Sequence, residues 1–480
     1  MAALARTDLA ARAAHSTDAS TSRRTQPREI PALNGLRGLA VLLVIWCHVR
    51  GFTFTPATDW LLQFKSAAGL IGLYLFFVLS GFLLFLPYAA IFAAPANASS
   101  LSTRWPNVLR FYRRRAQRIL PVFYAAILAT LLFATLRPSS GLFPPVPGPR
   151  TLLALFTLFH DDLPNAWQYI LDTNTPLWSL AVEWQFYLVL PLFALGLRGL
   201  HRRLGPTGVL AGILALMAYA LGVRAVAAAT FYAAGYPTVM QVPGPLGPIL
   251  TLLYGMNGKY LELFALGMLA ALAYSAASHR IAAAPDHTRA IARIARPATL
   301  LLAASLLIGL PLNMFWLHAA GIIPTPLAAY VGRWPQEASG AWLWSIAGSW
   351  ALALCMVGVA FAAVLGPAWV RAPLTWRPLR LVGLISYSLY VWHALVEKLW
   401  YAFWRAHWPA LASPVVVSVY LILLALIGLC SYYFIERPFL QMRRGHDPRV
   451  VAILKRLTAR GGQPDVPLPA PASASSSPDA

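Results

Sequence analysis

The sequence predicts an all-α, polytopic integral membrane protein with about ten transmembrane helices and both termini cytoplasmic. Three observations carry this. Of 480 residues, 59% are hydrophobic and 11% charged, with a mean hydropathy of +0.61, whereas about a quarter of a soluble domain is charged. Apolar windows of about 20 residues, the length that crosses a ~30 Å hydrocarbon core as a helix, recur along the chain. Arg and Lys cluster in alternate connections, as cytoplasmic loops require.

In chain order, residues 1–29 hold Asp8, Asp18 and Glu29 without an apolar run and read as a disordered cytoplasmic arm, not a signal peptide. A membrane-embedded domain over 30–440 follows. Its spans are predicted near 36–56, 69–92, 116–136, 177–197, 207–232, 258–276, 298–317, 342–366, 381–403 and 414–436. The inward connections carry Arg110 through Arg115, Arg198 with Arg202 and Arg203, the group Arg280 to Arg296, and Arg371, Arg377 and Arg380. The outward ones keep Lys65, Arg137, Arg150, Arg333 and Arg405. The net charge of +22 thus orients the protein, and no nucleic-acid partner is expected. Outward connections 137–176, 233–257 and 318–341 are long and rich in Pro, Gly and aromatics, and Leu152–Phe159 is too short to cross, so it reads as re-entrant or interfacial. Cys47, Cys355 and Cys430 have no metal-like spacing and read as small apolar residues within spans. Residues 441–480 are basic, then Pro-, Ala- and Ser-rich, which predicts a disordered tail.

Ionisable side chains at membrane depth cost about 2.5–3.5 kcal/mol even on the lenient insertion scale, so the few present mark candidate chemistry. Arg37 and His48 are eleven residues apart, which on a helix returns to within about 20° of one face after roughly 16 Å. That wall carries a guanidinium near the inner surface and an imidazole deep inside. Glu183 and His393 fall at similar predicted depths, so a chamber holding two imidazoles and a carboxylate is expected. Trp178, Ser179 and Tyr187 stand ready to tether Glu183, and Ser386, Tyr387, Tyr390 and Trp392 surround His393. At the cytoplasmic mouth of the third span, Arg114, Arg115 and Arg118 form a cationic fork suited to phosphate, with topology anchoring as the competing role. Glu436 and Arg437 close the last span and read as a structural ion pair or an end anchor, not as catalytic groups. No metal site is expected.

Six segments in sequence resemble the bacterial membrane acyltransferase-3 family. They are Ile30-Pro-Ala-Leu-Asn-Gly-Leu-Arg37 with its Arg-x10-His spacing to His48, Leu75 to Leu83, and Arg114-Arg115-x-x-Arg118-Ile-x-Pro121. Trp178-Ser179-Leu-Ala-Val-Glu183, Gly383 to His393, and Tyr433-Phe-Ile-Glu436-Arg437-Pro438 complete the set. Where many relatives carry an acidic or amide residue this chain has Tyr74, and where they carry a second Glu it has Trp184; both positions would shape the acceptor pocket. The resemblance implies transfer of an acyl group, acetyl first, from cytoplasmic acyl-CoA to a hydroxyl of a cell-surface glycan at the bacterial inner membrane. It implies His48 as the catalytic group, with Arg37 and Glu183 beside it. Arg114, Arg115 and Arg118 would hold the CoA phosphates, while Ser179, Trp178, Tyr187, His393 and Tyr387 would contact substrate. Some relatives append an extracytoplasmic hydrolase-like domain; if acylation needs one here, a separate partner would supply it.

An imidazole serves such a transfer as general base or as nucleophile. Two rival readings remain open in the sequence. In one, His48, Glu183 and His393 relay protons in a coupled transporter. In the other, the chain is a non-catalytic scaffold of the envelope.

Overall fold

The computed structural model describes residues 30–49, 59–94, 105–136, 141–234, 249, 253–255, 259–311, 349–410 and 413–442, and these form helices with no strand among them. In chain order the helices are α1 (Pro31–His48), α2 (Asp59–Phe92), α3 (Val108–Leu136), α4 (Pro149–Thr157), α5 (Pro164–Asn174), α6 (Trp178–Ala234), α7 (Leu261–Ala283) and α8 (His287–Ala304). After the undescribed stretch come α9 (Ser349–Leu365), α10 (Ala368–Leu374), α11 (Arg377–Leu384), α12 (Ser386–His407), α13 (Ser413–Ser431) and α14 (Arg437–Gln441). The arm 1–29, most of 233–257, all of 318–341 and the tail from 443 onward lie outside the described residues.

Seven helices among the described residues are long and apolar enough to cross a membrane, or nine if each of two bent pairs is one span. The sequence predicts ten, and the difference falls on α6. The run from Trp178 to Ala234 is two helices joined at Gly205 (φ 64, ψ −152), between the predicted spans 177–197 and 207–232, and the chain folds back there, since a Cβ on Gly212 would meet the Leu197 side chain. Only glycine takes that left-handed region without strain.

Several boundaries move for local reasons. Helix α1 starts at Pro31, whose fixed φ suits a first helical position, so His48 stands in the last turn, not mid-span. Helix α3 starts at Val108 because Asn107 Oδ1 accepts the Arg110 amide at 2.7 Å, which places the whole arginine run on the helix. The predicted span 381–403 divides into α11 and α12, bent by 71°. Gly383 permits this, since a Cβ there would collide with the Asn34 carbonyl of α1, and Ser386 Oγ donates to the Gly383 carbonyl at 2.9 Å across the corner. The segment Leu152–Phe159 falls mostly within the short helix α4, which ends at a left-handed Leu158 (φ 58). Cys355 is buried and Cys47 partly so, but Cys430 is exposed on α13.

The bundle is built on close backbone approach. Without a hydrophobic force between helices in lipid, packing relies on small residues. A Cβ on Gly81 of α2 would collide with the Phe264 carbonyl of α7, and one on Gly267 of α7 with the Val78 carbonyl of α2. Gly81→Val is therefore expected to destabilise the fold by about 2 kcal/mol or more, read as lost thermal stability in detergent. Gly199→Ala, where a Cβ meets nothing within 4 Å, should leave it unchanged.

Candidate active site

Five helices line a partly open cavity of about 520 Å³, its open mouth included. Helix α1 contributes Arg37, and α2 contributes Leu73, Phe76, Phe77 and Ser80. Helix α3 adds Arg118 and Ile119, and α6 adds Ser179, Leu180, Glu183 and Tyr187 at helical spacing. The first turns of α12, aimed inward by the bend at residue 385, supply Ser386, Tyr387 and Tyr390.

The cavity is elongated. Ser80 to Leu73 spans roughly 10 Å of helical rise, and Tyr187 to Ser179 roughly 12 Å. Its basic end holds Arg37 and Arg118 near Glu183. The Glu183 carboxylate accepts from Ser80 Oγ and from Tyr187 Oη, both at 2.5 Å. Tyr387 Oη donates to the Ile119 carbonyl at 2.7 Å, and Tyr112 Oη to the Leu188 carbonyl at 2.8 Å, fixing α3 against α12 and α6. Arg115 lies over the rings of Phe111 and Tyr187 at 6.0 and 5.9 Å. Arg114 and Arg115 are not among the cavity walls; Arg114 shares a face with Arg118 but sits four residues, about 6 Å, nearer the start of α3, and Arg115 packs on Phe111 and Tyr187. The expected three-pronged fork is thus one guanidinium in the cavity, Arg118, joined there by Arg37.

Arg118 also faces Glu436 at 3.7 Å. The last helix widens into a π-turn over Tyr432–Glu436, and the Glu436 carboxylate accepts from Ser388 Oγ at 2.8 Å. Its ionic partner is therefore Arg118, across the bundle, and not Arg437, whose guanidinium lies over the Tyr433 ring at 5.4 Å.

His48 stands at the opposite end of α1 from Arg37. Its Nδ1 is 2.9 Å from the Val44 carbonyl and 3.4 Å from Nε2 of His393; the two rings meet edge-on at 4.9 Å. His393 is fully buried, with Nδ1 2.6 Å from the Tyr390 carbonyl. A carbonyl can only accept, so Nδ1 carries the hydrogen in both neutral rings. The His48 N–H is then shared between Val44 and the lone pair of His393, and the basic nitrogen of His48 is Nε2. Tyr390 connects this pair to the cavity, since its hydroxyl is 2.6 Å from Ser179 Oγ.

The two imidazoles are thus brought together, while Glu183 is held by Ser80 and Tyr187 in the cavity. That carboxylate bonds Ser80 and Tyr187, and the rings bond Val44, Tyr390 and each other. Of the remaining candidates, Ser179, Tyr187 and Tyr387 line the cavity. Trp178 does not; it faces Trp167 at 5.9 Å and Tyr260 at 5.8 Å. The sequence reading passed over a buried ion pair, Arg224 with Glu262, and a second cluster in which Lys259 Nζ meets Asp161 at 3.4 Å and also Asp162. The signal was available for the first, because Arg224 and Glu262 each interrupt a predicted apolar span. Among the described residues no group of three or more His, Cys, Asp or Glu could hold a metal ion.

Comparison with known proteins finds relatives named as O-acetyltransferases. YrhL of Bacillus subtilis, named as a candidate peptidoglycan O-acetyltransferase, is 26% identical over 429 residues, covering 86% of this chain and 55% of that protein. O-acetyltransferase OatA of Staphylococcus aureus is 24% identical over 454 residues, covering 89% of this chain and 62% of OatA. Peptidoglycan O-acetyltransferase OatA of Listeria monocytogenes is 28% identical over 188 residues, 36% of this chain and 25% of that protein. The chain thus spans 55–62% of the length of the first two. No solved structure matches it. A family model described as an acyltransferase domain matches residues 30–434, a stretch that contains the whole cavity and both histidines, and the chain belongs to this acyltransferase-3 family.

Proposed function

We propose that the chain is an O-acyltransferase of the bacterial cytoplasmic membrane that moves an acetyl or similar acyl group from cytoplasmic acyl-CoA to a hydroxyl of a cell-wall glycan. The observation that carries this is the elongated cavity with two guanidiniums at one end and, one helical turn beyond Tyr390 at the other, the His393–His48 pair. Arginine matches phosphate oxygens bidentately, so Arg37 and Arg118 would hold the CoA phosphates. The pantetheine arm would then lie along α2 toward the imidazoles. His48 Nε2 removes the proton of the acceptor hydroxyl as its oxygen attacks the thioester carbonyl. The carbon–sulfur bond breaks, and the imidazolium returns the proton to the CoA thiolate. The names of the relatives support a peptidoglycan hydroxyl as acceptor, and the alternating basic loops support ten spans with both termini inside. A separate extracytoplasmic partner chain would carry the acyl group onward where transfer requires one.

Arg37→Gln and Arg118→Gln are each expected to raise KM for acetyl-CoA about tenfold, the worth of one lost charge-assisted hydrogen bond, with a smaller change in KM for the acceptor. Initial rates with labelled acetyl-CoA check this, and an unchanged donor KM in both variants would remove the phosphate role.

A further inference from the structure

The Glu183 carboxylate uses its two oxygens differently. Ser80 Oγ and Tyr187 Oη both donate to Oε1, while Oε2 takes part in no hydrogen bond or ion pair among the described residues. It is not shut off in the interior either, so it opens on the cavity that Glu183 lines. Arg118, a wall of the same cavity, pairs with Glu436 instead. Two donors on one oxygen thus fix the carboxylate and hold the other oxygen toward a ligand.

Helix packing gives the level of this oxygen. A Cβ on Gly69 of α2 would meet Cys47 of α1, and one on Gly72 would meet Ala40 and Val44, so the two helices run antiparallel. Ser80 is eleven residues beyond Gly69, and eleven residues before Cys47 is Leu36, the neighbour of Arg37. Ser80 and its bonded Glu183 therefore stand at the Arg37 end, roughly 16 Å of helical rise from His48. At that distance the carboxylate does not reach the imidazole, and its partner must lie in the cavity.

The donors and acceptors of the walls define that partner. Arg37 and Arg118 supply N–H groups for an anion. The hydroxyls already give their hydrogens to the protein: Ser80 and Tyr187 to Glu183, Ser179 and Tyr390 to each other and the Pro176 carbonyl, Tyr387 to Ile119 and Ser386 to Gly383. Glu183 is the one carboxylate among these walls. Beyond the two cations the cavity therefore favours a ligand that donates, and Oε2 is its strongest acceptor. Coenzyme A carries its groups in this order, since its phosphates lead into a pantoyl hydroxyl and then amide N–H groups on a slim chain that ends in the acylated thiol. The Glu183 charge also repels phosphate, which keeps the charged end of the donor on the arginines. Resting on the acyl-transfer reading, we propose that Glu183 Oε2 is the subsite for the pantoyl–β-alanyl half of the pantetheine arm, accepting its hydroxyl and amide hydrogens. Glu183 thereby selects the donor, and His48 performs the chemistry.

The test uses the full chain in lipid nanodiscs and two uncharged donors, S-acetylpantetheine and N,S-diacetylcysteamine, the second of which lacks the pantoyl–β-alanyl half. Free-thiol release is measured with an N-acetylglucosamine–N-acetylmuramic acid disaccharide present. Glu183→Gln keeps the shape, but its one amide oxygen stays with Ser80 and Tyr187 and turns the NH2 group to the cavity, donor against donor. The ratio of kcat/KM for S-acetylpantetheine over N,S-diacetylcysteamine is expected to fall at least tenfold in the variant, the worth of a lost charge-assisted hydrogen bond. Neither donor carries phosphate, so phosphate repulsion does not enter, and damage to the fold or to the chemistry at His48 lowers both rates and leaves the ratio. A ratio within twofold of wild type overturns the subsite. If the wild-type protein releases no thiol even from acetyl-CoA, the acyl-transfer reading fails. In that case, or if it takes acetyl-CoA but neither short donor, tryptophan-fluorescence titration with pantetheine decides the subsite alone. Binding that weakens tenfold in Glu183→Gln sustains it, and absent wild-type binding or an equal affinity in the variant overturns it.

Discussion

Replacing His48 with alanine is expected to lower kcat for acyl transfer by about 10²- to 10⁴-fold, the usual worth of a positioned general base, while leaving the affinity for acetyl-CoA unchanged. The expectation follows from the placement of the ring. Val44 and His393 both sit on the Nδ1 side, which leaves Nε2 as the basic nitrogen of the neutral imidazole. The proposed phosphate-binding end is eleven residues away on the same helix, roughly 16 Å, so the deletion should not reach the donor's charged end. Initial rates and equilibrium CoA binding, measured on the same preparation, separate the two quantities.

Arg224→Ala is expected to be the most damaging single change to the fold, by about 3–5 kcal/mol. Its partner Glu262 is 2% exposed, and removing one member of a buried pair leaves the other charge uncompensated. The double variant Arg224→Met with Glu262→Gln should recover much of that loss, because it removes both charges and keeps the volume. Thermal unfolding in detergent of the single and double variants measures this coupling. Equal destabilisation in both would show that packing, and not charge, dominates at this position.

Much of the bundle was legible from the sequence because hydropathy reports directly on apolar helices long enough to span. The Arg37–His48 wall was legible too, since helical periodicity fixes a shared face whatever surrounds it. Depth was harder to read. His48 looks mid-span when the span is centred on its apolar window, whereas Pro31 starts the helix early and puts the ring in the last turn. What stayed hidden depends on contacts between distant helices. Glu436 borders Arg437 in sequence, yet a π-turn faces it toward Arg118. The inward aim of Tyr387 and Tyr390 follows from a bend at residue 385, and only Gly383 hinted at the close approach behind it. His393 was visible as a buried imidazole, but its partnership with His48 requires α1 and α12 in register.

The proposed role of His48 is to act on an acyl group delivered by CoA. It is tested most directly by CoA release from labelled acetyl-CoA in the presence of an acceptor glycan, comparing the purified wild-type protein with His48→Ala. Saturable turnover in the wild type, with its loss in a variant that still binds acetyl-CoA at wild-type affinity, is the predicted result. Equal turnover in the two proteins, or a wild-type protein that neither binds nor consumes acetyl-CoA, would contradict it.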